Sequence, residues 1–158
     1  MELEKERRFE AKLECLREKW RKIQDDEVNY SFPIPRTTMK EMFLKQVENH
    51  PDKIYIYHHE RTETYLETNR MANRIANGLL AMGLKKGDRL ITYVSNGVEF
   101  VEITQACFKT GIILVNTNPL STADEIQRRI KDCTPRAVIA DSLALPTVRK
   151  ALEENALG

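Results

Sequence analysis

The chain has 158 residues, of which 41% are hydrophobic and 31% are charged. This length supports one domain with a hydrophobic core and is too short for two well-built ones. The formal net charge of +1, from 25 basic and 24 acidic residues, provides no overall field that favours nucleic acid or an anionic membrane surface. We therefore expect no nucleic-acid partner.

The cysteines indicate a reducing compartment. Cys15, Cys107 and Cys133 form no Cys-x-x-Cys pair, which favours reduced thiols over a disulfide framework or a zinc site. Cys107 is expected in the core.

The first residues are charged, and no later apolar run approaches the roughly 18 residues that a membrane span needs. The expectation is a cytoplasmic protein without a membrane span or a metal site.

The first predicted helix runs from Glu2 to Gln24, where no Gly or Pro occurs. Apolar residues recur in it at alternating spacings of four and three, which places them on one face. These residues are Phe9, Leu13, Leu16, Trp20 and Ile23. The apolar stripe they form either packs on the body of the protein or provides a homodimer contact. A membrane-surface role fits less well, because the polar face lacks a strong positive bias.

A polar segment from Asp25 to Arg36 follows, with Pro33 and Pro35 near its end. Proline cannot continue a helix and favours extended geometry in the residue before it. We predict a surface linker here, which divides the chain into residues 1–36, the helix and its linker, and residues 37–158, an α/β subdomain.

Later helix starts are predicted where an N-cap residue precedes an acid by three positions. The pairs are Thr38 with Glu41, Thr64 with Glu67, Asn96 with Glu99, and Ser121 with Asp124. Each precedes apolar residues at helical spacing. The sequence therefore predicts helices at these positions.

Short apolar runs without strict alternation lie between the predicted helices. They are Lys53 to Tyr57, Arg89 to Val94, Ile112 to Val115, and Arg136 to Ala140. Such runs are typical of strands buried on both faces. Their alternation with helices predicts an α/β fold with a mostly parallel sheet and flanking helices. The first run is the exception, since a polar turn at residues 58–61 favours an antiparallel partner at residues 62–65.

The glycines serve turns rather than phosphate binding. Gly83, Gly87 and Gly111 follow predicted helices or precede strands, where positive φ is needed. No two of the six glycines share a loop rich in hydroxyl groups, and neither a P-loop nor a Gly-x-Gly-x-x-Gly fingerprint is present. A small flavodoxin-like nucleotide-binding protein is disfavoured, because its candidate connector at residues 95–97 has one glycine.

Several motifs in chain order resemble the N-terminal part of the AMP-forming acyl-CoA synthetases, over roughly residues 39–152. The matching segments are Thr64-Tyr65-Leu66-Glu67, the helix from Asn73 to Leu79, the turn from Gly83 to Asp88, Asn96 to Phe100, and Lys109-Thr110-Gly111 followed by Asn116 to Leu120. The resemblance implies the opening subdomain of the adenylate-forming synthetase fold, preceded here by the amphipathic helix.

The resemblance also implies a reaction. The family activates a carboxylic acid with ATP to an acyl-adenylate and transfers the acyl group to coenzyme A. ATP, magnesium and coenzyme A are thus implied for an intact enzyme, for which a fatty acid is the expected substrate.

The 158 residues stop before the family's ATP-binding loop and mobile lid, so we expect no bound cofactor and no activity from this chain alone. The rest of the synthetase is the implied partner. The alternative is a separate binding or assembly module that pairs with a chain carrying the catalytic motifs.

Candidate site residues are few. The resemblance implies that Arg128, Arg129, Lys131 and Arg149 lie near the coenzyme A phosphates of an intact enzyme. Taken alone, the charged residues of this helix indicate a solvated surface. His58 and His59 are adjacent, so on a strand they point to opposite faces and do not readily chelate one metal. No catalytic residue is predicted.

Overall fold

The computed structural model describes residues 2–23 and 35–156. It divides into two compact units, Met1–Arg36 and Thr37–Gly158. In the described part of the first unit, helix α1 spans Glu2–Ile23, as predicted. The linker predicted at residues 25–36 lies outside the described residues except for its last two. No helix of the described part is both long and apolar enough to cross a membrane.

The apolar stripe of α1 carries large exposed side chains. Phe9 is 65% exposed, Leu16 50% and Trp20 62%, while Leu13 is 36% exposed. The side chain of Ile23 lies outside the described residues. The homodimer contact through this stripe stays a prediction.

The second unit alternates helices with short strands. Its elements are α2 (Met39–Asn49), β1 (Ile54–His58), β2 (Arg61–Thr64), α3 (Tyr65–Ala81), β3 (Arg89–Tyr93), α4 (Val98–Thr110), β4 (Ile113–Asn116), α5 (Ala123–Cys133), β5 (Ala137–Ala140) and α6 (Leu145–Ala156). The α/β fold class predicted from the sequence is confirmed.

Strand β3 is the centre of a three-stranded parallel sheet with the order β4-β3-β5. Arg89 lies opposite Ile113 in β4, and Leu90 lies opposite Ala137 in β5. Strands β1 and β2 form a separate antiparallel pair, in which His58 lies opposite Arg61. The predicted antiparallel partner of the first strand is therefore confirmed.

Successive side chains of β3 enter two different cores, because strand side chains alternate between faces. Leu90 joins a cluster built with α3 and α4: Leu79, Leu84, Ile103, Cys107 and Ile112. Ile91 and Tyr93 join a cluster built with α5 and α6: Ile126, Ala144, Val148 and Ala151. The sheet is thus covered by helices on both faces.

The expected full burial of the strands is correct for β3 and wrong for β1, where Ile56 alone is buried, and for the two neighbours of β3. Four of the five residues of β3 are buried, whereas all of β5 is half-buried and Ile113 of β4 is 50% exposed. The outer strands have one neighbouring strand each in the described residues, so their edges receive less cover. Cys107 is buried as expected, and burial raises the pKa of its thiol to about 11.

Two of the predicted helix caps are confirmed. At the start of α3 the Thr64 hydroxyl accepts the Glu67 N–H at 3.2 Å, and the Glu67 carboxylate accepts the Thr64 N–H at 2.9 Å. That N–H lowers the pKa of Glu67. Thr38 and Glu41 form the same reciprocal box before α2.

The other two predicted caps are wrong by one residue. Helix α4 starts after Gly97, which provides no side-chain cap, rather than after Asn96. Helix α5 is capped by Thr122 with Glu125 rather than by Ser121 with Asp124. Ser121 instead closes a turn, since its N–H donates to the carbonyl oxygen of Asn118 at 3.1 Å.

Replacing Thr122 with alanine is expected to lower the free energy of unfolding by about 1 kcal/mol, because the first turn of α5 loses a hydrogen-bond acceptor. Ser121→Ala is the matched control and should change it by less than about 0.5 kcal/mol. Urea unfolding of both variants measures the difference. A larger loss at Ser121 than at Thr122 would contradict this cap.

Candidate functional site

The carboxyl ends of the parallel strands are a candidate site, because ligands of open α/β sheets bind at this edge. Thr92, near the end of β3, donates its hydroxyl proton to the Asn116 side-chain oxygen at 3.0 Å. The Thr117 hydroxyl donates to the Thr92 carbonyl oxygen at 2.6 Å. The ends of β3 and β4 are therefore joined by side-chain hydrogen bonds as well as by the ladder.

A second set of bonds joins the end of β3 to the segment after β5. One carboxylate oxygen of Asp141 accepts the N–H of Ser95 at 2.8 Å and its hydroxyl at 2.7 Å. The other oxygen accepts the N–H groups of Leu143 and Ala144. These bonds, led by the Ser95 hydroxyl, lower the pKa of Asp141. Asp141 thus holds the connector that follows β3 against the connector between β5 and α6.

Tyr93 provides a buried hydroxyl at this edge. The residue is 1% exposed, and its hydroxyl makes no hydrogen bond of normal geometry to a described residue. Burial raises its pKa. The neighbouring Thr117 hydroxyl opposes that rise, but its proton is already donated to the Thr92 carbonyl oxygen.

The hydrogen bonds of this edge connect the strand ends to one another. Thr92, Asn116 and Thr117 bond to one another, and Ser95 bonds to Asp141 with both its N–H and its hydroxyl. Sequence reasoning missed Ser95 and Asp141 as a pair, because they lie 46 residues apart and carry no local motif. The only available signal was a polar residue directly after each of two apolar runs.

The predicted basic residues are partly brought together. Arg128, Arg129 and Lys131 of α5 line one open groove of about 660 Å³, which also contains Glu125 and Asp132. All five side chains are exposed. The two acids offset part of the positive charge.

Arg149 does not line this groove, although its helix, α6, packs against α5. Its side chain is exposed. The structure therefore brings three of the four predicted residues to one surface.

The two adjacent histidines differ from the expectation for a strand. Strand β1 ends at His58, and His59 adopts a left-handed conformation with φ of 54° in the turn. Their rings meet edge to face with centroids 4.4 Å apart, rather than on opposite faces. Among the described residues no cluster of His, Cys, Asp or Glu has the geometry to hold a metal ion.

An aromatic group supports the lysine of the predicted Lys-Thr-Gly segment. The rings of Tyr55 and Tyr65 stack with their centroids 4.5 Å apart, and the Phe43 ring centroid lies 5.3 Å from that of Tyr55. The Lys109 ammonium lies over the Phe43 ring at 5.9 Å and donates to the Asn69 side-chain oxygen at 2.6 Å. Its partial burial lowers its pKa. This lysine thus ties α4 to α2 and α3.

Comparison with known proteins identifies the fold and family. The family model described as AMP-binding enzyme matches residues 43–157. Malpibaldin synthetase of Mortierella alpina is 31% identical over 136 residues, which are 82% of this chain and 2% of that protein. The mitochondrial medium-chain acyl-CoA ligase of Danio rerio is 33% identical over 112 residues, 69% of this chain and 18% of that protein.

Among solved structures, the fatty acyl CoA synthetase of Mycobacterium tuberculosis superposes with a TM-score of 0.68 at 26% identity, covering 72% of this chain and 23% of that one. The chain therefore spans less than a quarter of the length of these relatives. The match over residues 43–157 covers most of the α/β unit, and on this evidence the chain belongs to the AMP-binding enzyme family.

Proposed function

We propose that this chain is the N-terminal part of an ATP-dependent acid–CoA ligase that acts on a fatty acid. In the first step the acid's carboxylate oxygen attacks the α-phosphorus of ATP and pyrophosphate leaves. In the second step the thiol of coenzyme A attacks the acyl carbon and AMP leaves. The observation that carries this proposal is the family match over residues 43–157.

The substrate class rests on the relatives. The Danio rerio protein is a medium-chain acyl-CoA ligase, and the Mycobacterium tuberculosis protein is a fatty acyl CoA synthetase. Both are similar to this chain over about seven tenths of its length. A fatty acid is therefore the first substrate to test.

We further propose that the 158 residues do not catalyse this reaction alone. Phosphate activation requires backbone N–H groups and a cation around the developing charge. No two glycines of the sequence share a hydroxyl-rich loop that ends in lysine. The role of this chain in the ligase is to provide the sheet and helices on which other elements assemble.

The groove on α5 fits a phosphate-bearing nucleotide by its charge. Arg128, Arg129 and Lys131 place three cations around a volume of about 660 Å³, against the two carboxylates of Glu125 and Asp132. Guanidinium groups pair well with phosphate oxygens. We propose this groove as the contact for the phosphates of coenzyme A, with Arg149 outside it.

Acid-dependent exchange between pyrophosphate and ATP tests the proposed function. The protein encoded by the whole gene is expected to exchange with octanoate or hexadecanoate, and more slowly with benzoate. The 158-residue chain is expected to show no exchange above background with any of them. Exchange by the 158-residue chain alone would contradict the proposed division of labour, and failure of the whole protein with every fatty acid would contradict the substrate class.

A second candidate function is an assembly module that pairs with a separate catalytic chain. The apolar stripe of α1 favours it, since Phe9, Leu16 and Trp20 are at least half exposed. Reading the gene beyond the codon for Gly158 separates the two candidates. An in-frame glycine- and hydroxyl-rich loop ending in lysine supports the ligase fragment, whereas a stop codon supports the module.

A further inference from the structure

The hairpin of β1 and β2, residues 54–64, lies outside the parallel sheet and is held on α4 by polar side chains. At one end the Gln105 amide group of α4 donates to the Tyr55 hydroxyl at 3.2 Å. At the other end the Arg61 guanidinium donates to the Glu99 carboxylate of α4 at 2.6 Å. The contact between hairpin and helix is therefore polar at both ends.

Buried polar side chains are concentrated around this contact. In the part of the chain that the structure describes, the buried polar residues are Thr68, Thr92, Glu102 and Gln105. Thr92 belongs to the parallel sheet, whereas the other three lie near the hairpin. The Thr68 hydroxyl donates to the Glu63 carboxylate of β2 at 3.2 Å. Burying polar groups in this way is costly unless each one finds a partner.

Two oxygen atoms at this contact have no such partner among the described residues. They are the Oε1 atoms of Glu102 and Gln105, and both are buried. The two residues are three positions apart on α4, which places them on one face of the helix. An ionised carboxylate and an amide oxygen are both acceptors, so they do not satisfy one another. The site requires a donor that reaches both.

Arg61 is close to this site without completing it. Its Nη2 atom lies 3.9 Å from the Glu102 Oε1 atom, which is beyond the length of a hydrogen bond. The same nitrogen donates one proton to Glu63 at 2.7 Å and retains a second. A separation of 3.9 Å allows one water molecule to bond to both atoms at about 2.9 Å each.

We propose that Glu102 and Gln105 bind one internal water molecule between α4 and the β1–β2 hairpin. The water donates its two protons to the two Oε1 atoms, and its oxygen accepts the second Nη2 proton of Arg61. Buried water molecules typically make about three hydrogen bonds, and these three are of that kind. One molecule thus satisfies both oxygen atoms and joins the helix to the hairpin.

The charges around the site favour water over a metal ion. The Arg61 guanidinium lies 3.9 Å from one of the two oxygen atoms, so it repels a cation and can donate to a water. Hard divalent cations also take six or more oxygen ligands. Among the described residues no cluster of His, Cys, Asp or Glu has the geometry to hold a metal ion.

A crystal structure of the full chain, at a resolution that shows ordered water, tests the proposal directly. We expect a water molecule within about 3.2 Å of the Oε1 atoms of Glu102 and Gln105 and of the Arg61 Nη2 atom. A direct hydrogen bond between Glu102 and Gln105, from a protonated carboxyl or a turned amide group, would overturn the proposal. A metal ion at this position would also overturn it.

Oxygen-17 relaxation dispersion tests the site in solution, because it counts the water molecules that stay bound for longer than the protein takes to tumble. Glu102→Met replaces the buried carboxylate with an apolar side chain of similar length. We expect this variant to hold one long-lived water fewer than the unmodified chain.

Glu99→Met is the matched control. It makes the same substitution three positions earlier on α4, where the side chain is 61% exposed, and should leave the count of long-lived waters unchanged. An unchanged count in Glu102→Met would contradict the proposed site. The same loss in both variants would do so as well, since Glu99 is not one of its ligands.

Discussion

Replacing Leu90 with alanine is expected to lower the free energy of unfolding by about 3 kcal/mol. Leu90 is fully buried in the central strand and contacts a cluster that includes Leu79 and Ile103. The substitution removes apolar atoms from this core and leaves a cavity that the neighbouring helices fill only in part. The loss is a large share of the roughly 5–15 kcal/mol that holds a typical domain together.

Urea unfolding of the unmodified chain and of Leu90→Ala measures this effect. The slope of the unfolding free energy against urea concentration should be the same in both proteins. Leu120→Ala is the matched control, because the same atoms are removed from a side chain that is 72% exposed. Its effect should stay within about 0.5 kcal/mol. Similar losses at the two leucines would mean that β3 is not the centre of the core.

Gly111→Ala is expected to lower the free energy of unfolding by about 2 kcal/mol, for two reasons that can be separated. Gly111 ends α4 in a left-handed conformation with φ of 72°, which a Cβ atom disfavours. An added Cβ would also lie 2.8 Å from Cγ of Lys86. The carbonyl oxygen of Gly111 accepts the N–H of Gly87 at 3.0 Å, so the backbone has little room to move away.

Gly83→Ala isolates the first reason. Its φ is 87°, and no atom lies within 4 Å of the added Cβ, so only the backbone strain of about 1 kcal/mol is expected. Combining Gly111→Ala with Lys86→Ala should remove the steric part and bring the cost close to that of Gly83→Ala. Thermal or urea unfolding of the unmodified chain and the three variants measures these differences. A double variant that is no more stable than Gly111→Ala alone would contradict the steric contact with Lys86.

The sequence predicted elements well where the signal was local. The reciprocal boxes of Thr38 and Thr64 depend on residues three positions apart, and both were found. At residues 121 and 122 two hydroxyl residues each precede an acid by three positions, so the local pattern is ambiguous. In the structure Thr122 is the cap, and the N–H of Ser121 donates to the Asn118 carbonyl oxygen in the preceding turn.

Contacts that depend on the order of the strands were not predictable from the sequence. Ser95 and Asp141 meet because β3 and β5 are neighbours, and the sequence did not indicate the order β4-β3-β5. The Arg61–Glu99 contact needs the hairpin to lie on α4, which no periodicity indicates. Arg128, Arg129 and Lys131 were singled out through the family resemblance, and they line one groove because all three belong to one helix.

The incomplete cover of β4 and β5 has a consequence for handling the protein. In the part of the chain that the structure describes, each outer strand pairs with β3 on one side, and its opposite side presents unpaired amide and carbonyl groups. Such rows act as templates for another strand, and Ile113 adds an apolar side chain that is 50% exposed. Samples of the 158-residue chain should therefore self-associate by edge-to-edge strand addition as concentration increases, a tendency that a further strand along either margin would suppress.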